Sequence, residues 1–124
     1  MFVVNDDMSM YVTRGDAVAF NVKASLADTD YTFRVGDVVR FKVFAKKDCS
    51  NVVLKKDVRV TKETTTVQMF LDDNETKFGE IISKPVDYWY EVELNPDTNA
   101  QTIIGYDDNG AKVFRVFPEG GELV

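Results

Sequence analysis

The chain has 124 residues, 44% of them hydrophobic, which is enough for one globular core and too few for two independent domains. Its 21 acidic and 15 basic residues give a net charge of −6, which argues against nucleic acid and anionic membranes as partners, because both require a positive surface. It has no histidine and one cysteine, which excludes Ser-His-Asp and Cys-His catalytic sites, nearly every zinc site and an intrachain disulfide.

The opening residues, MFVVNDDMSM, lack the basic region and the apolar run of a secretory signal. No stretch of the chain approaches the roughly 18 consecutive apolar residues that a membrane-spanning helix needs. We therefore expect a soluble protein that is synthesised in the cytoplasm.

Two similar stretches begin the series of predicted strands, RGDAVAFNV at 14–22 and VGDVVRFKV at 35–43. In each, a Gly-Asp pair precedes strict alternation of apolar and polar residues. This pattern predicts a turn that leads into a half-buried strand. Phe20 and Phe41 lie at the centres of the two strands, and we predict that they face a common core.

The first copy contains Arg14-Gly15-Asp16, the tripeptide of integrin ligands. An adhesion site needs an exposed loop tip, whereas this tripeptide is followed at once by a strand pattern. The second copy has Val35 at the position of the arginine. The sequence therefore favours a turn, and not an adhesion site, at both places. Neither pair resembles a phosphate-binding loop, which needs a helix after its glycines.

Five further alternating stretches predict strands, at 51–60, 65–71, 87–94, 100–106 and 111–117, and the opening residues suggest one or two edge strands. The segment DDNG at 107–110 predicts a hairpin between the last two strands. The segment LDDNETKFGEIIS at 71–83 begins with acidic residues suited to a helix N-terminus and contains Gly79, which predicts a short helix near 72–80.

These elements, with nine Phe, five Tyr and many Val, predict an all-β fold. We expect a single antiparallel β-sandwich of immunoglobulin-like kind, with seven to nine strands and the one short helix near 72–80. Residues 1–124 form one domain in this prediction, and 118–124 form a loose tail.

Three acidic clusters are candidate metal sites: Asp6-Asp7, Asp72-Asp73 and Asp107-Asp108-Asn109. None has the alternating carboxylates and distant bidentate acid that calcium loops use, and turn and capping chemistry accounts for them more simply. We therefore predict no metal and no cofactor. Cys49 lies in a turn-like segment, and without a histidine it has no base to activate it as a nucleophile.

The predicted strand DYWYEVEL at 87–94 places Trp89, Glu91 and Glu93 on one face. The two glutamates are about 7 Å apart by strand rise, a separation within the range that paired-carboxylate glycosidases use. Nothing in the sequence supplies the enclosing pocket that would raise the pKa of one of them, so catalysis is not favoured. The three residues are a candidate surface for a partner or ligand, since tryptophan is a favoured anchor in protein interfaces and can also stack on a sugar ring.

Four blocks, in this order, carry a resemblance: RGDAVAFNV, FRVGDVVRFKV, DYWYEVELNP and TIIGYDDNGAKVFRVFPEG. From about residue 10 to residue 118 the chain resembles small tail-module proteins of phages and prophages, in the layout of the N-terminal domain of phage baseplate upper proteins. The resemblance implies a β-sandwich that docks to a central tail or baseplate hub and helps to present adhesion modules. That family has no catalytic residues to carry over.

We therefore expect a non-enzymatic structural protein of a phage or prophage tail or baseplate, which passes from the cytoplasm into the virion. Its expected partners are other phage tail or baseplate proteins, and a homo-oligomer is left open. The alternative is a carbohydrate- or small-ligand-binding module that uses the face of Trp89.

Overall fold

The computed structural model describes residues 1–26 and 28–120, which form strands joined by turns and loops. The strands are β1 (Phe2–Val4), β2 (Met10–Thr13), β3 (Val18–Val22), β4 (Ser25–Leu26), β5 (Thr29–Asp30), β6 (Val38–Phe44), β7 (Val52–Arg59), β8 (Val67–Leu71), β9 (Val86–Leu94), β10 (Gln101–Ile104) and β11 (Lys112–Phe117). The all-β class is confirmed. Among these residues we find no helix with the length and apolar character needed to cross a membrane.

The largest sheet has seven strands in the order β1-β2-β11-β9-β6-β7, with β10 also paired to β9. Most pairs are antiparallel, but β2 and β11 run parallel, so the prediction of a wholly antiparallel fold was wrong. Parallel pairing needs a long connection between the strands, and almost the whole chain separates these two. The opening residues were predicted to add one or two edge strands. They form β1, which is an edge strand, and β2, which lies between β1 and β11 inside the sheet. The immunoglobulin-like sandwich stays a prediction.

β10 and β11 do not form the predicted hairpin. The turn itself is present, since Asp107 and Gly110 exchange backbone hydrogen bonds of 3.3 and 2.8 Å. However, β10 pairs with the C-terminal half of β9 and β11 with its N-terminal half, one after the other along the same edge. β9 is nine residues long, so it can pair with both strands in tandem.

The core lies between the large sheet and a ribbon formed by β3 and β8. Alternate residues of both ribbon strands are buried against the sheet: Val18, Phe20, Val22, Val67, Met69 and Leu71. The rings of Phe20 on β3 and Phe41 on β6 meet edge to face, with centroids 5.2 Å apart. The prediction that these two phenylalanines share one core is confirmed.

The two Gly-Asp pairs form the same turn. Gly15 has φ +88° and Gly36 has φ +94°, the left-handed region that a type II turn requires at its third residue. In each copy the aspartate amide donates to the carbonyl three residues earlier, at 3.0 Å. β3 begins two residues after the first turn and β6 begins directly after the second. The prediction of two matched turns that lead into strands is therefore confirmed.

The predicted helix near 72–80 is not formed, and these residues make a series of turns. The local capping signal is real, because the Asp72 amide donates to Glu75 Oε1 and the Glu75 amide donates to Asp72 Oδ1. Thr76 then turns away from a helical path. Its hydroxyl donates to the Asp16 carbonyl at 2.8 Å and accepts from the Gly15 amide at 3.1 Å. Tertiary bonding to the first Gly-Asp turn thus replaces the helix.

Of the predicted tail at 118–124, residues 121–124 lie outside the described residues. Pro118 and Glu119 are half-buried, and Glu119 lies beside Gly15 of the first turn.

The carboxylate of Asp37 is predicted to make the second turn sensitive to pH. It accepts from the Tyr31 hydroxyl at 2.8 Å, from the Arg34 amide at 2.9 Å and from the Asn95 side chain at 3.2 Å. Burial opposes ionisation, but these hydrogen bonds outweigh it and lower the pKa of Asp37 below its ordinary 3.8. A lowered pKa in the folded state gives stability that is present above pH 3.8 and is lost as the pH falls further.

Asp37→Asn should therefore lower the free energy of unfolding by about 1–3 kcal/mol at neutral pH, and this difference should shrink as the pH falls below 3.8. Urea titrations monitored by circular dichroism across this pH range measure both values. Asp6→Asn, at an exposed aspartate of the β1–β2 turn, is the control and should follow the wild type closely. A difference for Asp37→Asn that does not change with pH would contradict the role of the ionised carboxylate.

Candidate functional site

Trp89 lies on the outer face of the large sheet, the face opposite the core. Tyr90, Val92 and Leu94 of the same strand are buried on the core face, as the alternation predicted. Trp89 lies directly opposite Phe44 on β6 and Val113 on β11. Val52 on β7 lies opposite Phe44 in turn. Paired residues on neighbouring strands share a face, so these four side chains form a continuous row across the sheet, the apolar row.

The apolar row changes in exposure along its length. Phe44 is only 3% exposed, whereas Val52 at the β7 edge is 53% exposed. Trp89 and Val113 are half-buried. A partly solvated tryptophan flanked by apolar side chains is an unusual feature on the polar side of a sheet, and it makes the apolar row a candidate contact surface.

The glutamates beside Trp89 are both close to one lysine. Lys42 on β6 lies opposite Glu91 on β9, and its Nζ is 2.6 Å from Glu93 Oε1 and 3.7 Å from Glu91 Oε1. Burial, followed by the charge of Glu93, raises the pKa of Glu91 above its ordinary value. The two carboxylates are therefore partners of a cation, and they do not form an open acid pair on the surface.

The other side of the apolar row is also bordered by an ion pair. Arg115 on β11 forms a two-pronged contact with Asp87 on β9, at 2.6 and 3.2 Å. The Arg115 guanidinium lies 5.1 Å above the ring of Tyr11 on β2 and donates to its hydroxyl at 3.2 Å. The contact with Asp87 raises the pKa of Arg115 and keeps it charged.

A third charged group lies further along β6. Arg40 donates to both oxygens of Asp57 on β7, at 2.7 and 2.9 Å, and reaches Asp97 at 3.3 and 3.2 Å. The hydrogen bonds from Arg40 lower the pKa of Asp57 more than its burial raises it. The basic residues Arg40, Lys42 and Arg115 of the outer face are thus each paired with a carboxylate of the same face.

The residues that the sequence offered as candidates for catalysis or metal binding have the following surroundings. Three concavities of the described residues have defined linings, and none of them includes Trp89, Glu91 or Glu93. The Cys49 thiol is half-buried, and burial, followed by the negative charges of Glu91 and Asp48, raises its pKa, so it is protonated at neutral pH. Among the described residues, no group of three or more Cys, Asp and Glu side chains is placed to hold a metal ion.

Sequence analysis placed Trp89, Glu91 and Glu93 on one face, and the structure brings them together there. It missed Lys42, Phe44 and Val113, which complete the surface. The alternation of β6 and β11 puts these residues on outer faces, but only the strand order and register show that they lie beside β9.

Comparison of the chain with protein families, with curated proteins and with solved structures gave no match. Its function is therefore inferred from its own residues and their geometry.

Proposed function

We propose that this chain is a non-enzymatic structural protein of a phage or prophage tail or baseplate, which enters the virion through contacts with other tail or baseplate proteins. One support is the order of strand blocks between about residues 10 and 118, which resembles the N-terminal domain of phage baseplate upper proteins. The other support is the outer face of the large sheet, which has the composition of a protein contact surface.

The observation that carries the proposal is the position of Trp89 within the apolar row. Protein interfaces combine an apolar centre, often anchored by tryptophan, with a polar rim. Here the row is flanked by Lys42 with its two glutamates on one side and by Asp87 with Arg115 on the other. Because the rim charges are already paired, a partner that covers the row does not strand an isolated buried charge.

Carbohydrate or small-ligand binding at Trp89 is the alternative. Stacking on a sugar would use the ring of Trp89, and hydrogen bonds to the sugar would use Glu91 and Glu93. Both glutamates are already close to Lys42, and the three concavities with defined linings lie elsewhere. The apolar row lines none of these concavities, so it suits a protein partner better than a small ligand, which binds best in a concave site.

Trp89→Ala is expected to weaken assembly. Mixing the purified chain with the tail and baseplate proteins encoded beside its gene should give a complex in sedimentation velocity, and the substitution should reduce its affinity by at least about tenfold. Trp89 is the only tryptophan of this chain, so its fluorescence reports its burial in the complex when the partner is a variant without tryptophan. The same sedimentation run without a partner measures any homo-oligomer.

Phe70→Ala is the matched control, because Phe70 is an aromatic residue that is 49% exposed on β8 and points away from the core on the far side of the molecule. It should leave affinity unchanged. A chain that binds none of these proteins but retains an oligosaccharide would refute the assembly role and support the alternative. Neighbouring genes for metabolic enzymes, instead of tail proteins, would count against the phage origin.

A further inference from the structure

A groove runs along β10, at the edge of the sheet and away from Trp89. Among the described strands β10 pairs only with β9, so its other edge has no strand beside it. Two adjoining concavities of about 420 and 380 Å³ follow this strand and share Thr102 and Ile103 in their linings. Because they share these two residues, we treat them as one groove along β10.

The groove has two differently built ends. At one end the wall opposite β10 is the segment from Lys23 to Ser25, together with Tyr31. At the other end the lining includes Met8 and Lys112. Leu94 and Ile104 contribute apolar surface at the two ends. An edge strand faced by a second wall is the geometry in which proteins accept an added strand.

The charge of the groove differs from that of the whole chain. The net charge is −6, yet the charged residues that line the groove are Lys23, Lys112 and Asp107. Asp107 is bonded to Lys112 at 2.7 Å, which leaves Lys23 as the uncompensated charge. The groove thus favours acidic groups on whatever occupies it.

Two polar side chains of the groove, Tyr31 and Asn95, have partners within the protein. The Tyr31 hydroxyl donates to Asp37, and the Tyr31 ring packs edge-on against Phe33 with centroids 5.2 Å apart. The Asn95 side chain accepts from the Val38 amide and donates to Asp37. The side chains of Tyr31 and Asn95 are therefore already bonded within the protein, whereas the outer backbone edge of β10 has no described strand beside it.

The edge of the large sheet formed by β7 is protected against the addition of another strand. β7 carries Lys55, Asp57 and Arg59 on its solvent side. Lys56 points toward the core side, where its ammonium group is 2.9 Å from Glu75. Charges along an edge, and above all an inward-pointing charge, discourage pairing with another strand. β10 has the sequence QTII, without a charge, and has no such protection.

We propose that the free edge of β10 binds an extended segment of a partner protein, with alternating acidic and apolar residues, as an added β-strand. Main-chain hydrogen bonds to β10 hold the segment, its apolar side chains meet Ile103 and its acidic side chains meet Lys23. This inference deepens the proposed assembly role, because the partner is again a protein, but it uses a different surface from the apolar row.

The test uses a fluorescent peptide of alternating valine and glutamate, about eight residues long so that it overhangs β10 at both ends. Binding is followed by fluorescence anisotropy, and the site is located by amide chemical shifts. We expect saturable binding, with the largest shifts at 101–104. The same peptide methylated on alternate backbone nitrogens should bind about tenfold more weakly, because it lacks main-chain donors. Replacement of its glutamates by lysine should weaken binding similarly.

Lys23→Glu should lower affinity for the peptide about tenfold, whereas Lys47→Glu, at an exposed lysine of the β6–β7 turn, makes the same charge change outside the groove and should have little effect. Equal binding of the methylated peptide, equal effects of the two substitutions, or no binding at millimolar peptide would overturn the proposal. Shifts at 101–104 caused by a neutral oligosaccharide, and not by the peptide, would also overturn it. Trp89→Ala should bind the peptide normally, so a failure here is distinct from a failure of assembly through the apolar row.

Discussion

Phe41→Ala is expected to lower the free energy of unfolding by about 3–5 kcal/mol, which is the usual cost of removing a fully buried aromatic ring. Phe41 has no exposed surface, and its ring contacts those of Phe20, Tyr90 and Phe114 at centroid distances of 5.2, 5.6 and 5.9 Å. Alanine would leave a cavity where the sheet and the ribbon meet. Since domains of this size are stable by about 5–15 kcal/mol, the variant should unfold roughly 10–20 °C earlier.

Urea and thermal denaturation, followed by circular dichroism, measure this loss. Phe70→Ala is the matched control, since it removes the same ring from a position that is 49% exposed, and it should cost less than about 1 kcal/mol. Equal losses for the two variants would mean that the core is not centred on Phe41. The slope of the urea transition should stay unchanged, because the substitution acts on packing and not on the extent of unfolding.

Strand positions and faces could be predicted from the sequence because they depend on local alternation. The pattern of apolar residues in β3 and β6 was enough to place Phe20 and Phe41 in one core, and the Gly-Asp pairs were enough to predict two turns. At 72–80 the prediction of a short helix was wrong, although Asp72 and Glu75 do make the reciprocal hydrogen bonds of a helix N-terminus. The helix failed because Thr76 bonds to a turn some sixty residues away, which no local pattern shows.

Pairing between distant strands could not be predicted. In the structure β2 pairs in parallel with β11, and β10 and β11 pair one after the other with β9. The strands have similar alternation of apolar and polar residues, so the sequence does not show which of them are neighbours. The same limit applies to the surfaces. Trp89 was assigned to the outer face, but its apolar neighbours and the lysine beside Glu91 depend on register. The groove along β10 was missed because its walls come from separate segments without a shared motif.

Arg14 of the Arg-Gly-Asp tripeptide is a structural residue in this fold. It is 6% exposed, and its Nη2 donates to the carbonyl of Lys77 at 2.9 Å and to that of Gly79 at 3.2 Å. These contacts hold the segment at 72–79 against the first Gly-Asp turn, beside the hydroxyl of Thr76. A guanidinium in this position is not presented to a receptor, so the tripeptide stabilises the turn and does not serve as an adhesion loop.

Arg14→Met should therefore lower the free energy of unfolding by about 1–3 kcal/mol, because methionine fills a similar space but leaves two partly buried carbonyls without their charged donor. Arg14→Lys should recover only part of the loss, since one ammonium cannot reproduce the fork of the guanidinium. Hydrogen exchange of Arg14→Met should accelerate most within 72–79, because these residues lose their tie to the turn.

Arg34→Met is the matched control, because Arg34 opens the equivalent second turn but has an exposed side chain, and it should change stability by less than about 0.5 kcal/mol. The comparison of these two variants shows whether the arginines of the two turns have different roles in stability. In the first copy the side chain beside the Gly-Asp pair anchors a distant segment, whereas in the second the carboxylate of Asp37 collects the hydrogen bonds. Wild-type stability and exchange in Arg14→Met would show that Arg14 is not needed to hold the segment at 72–79.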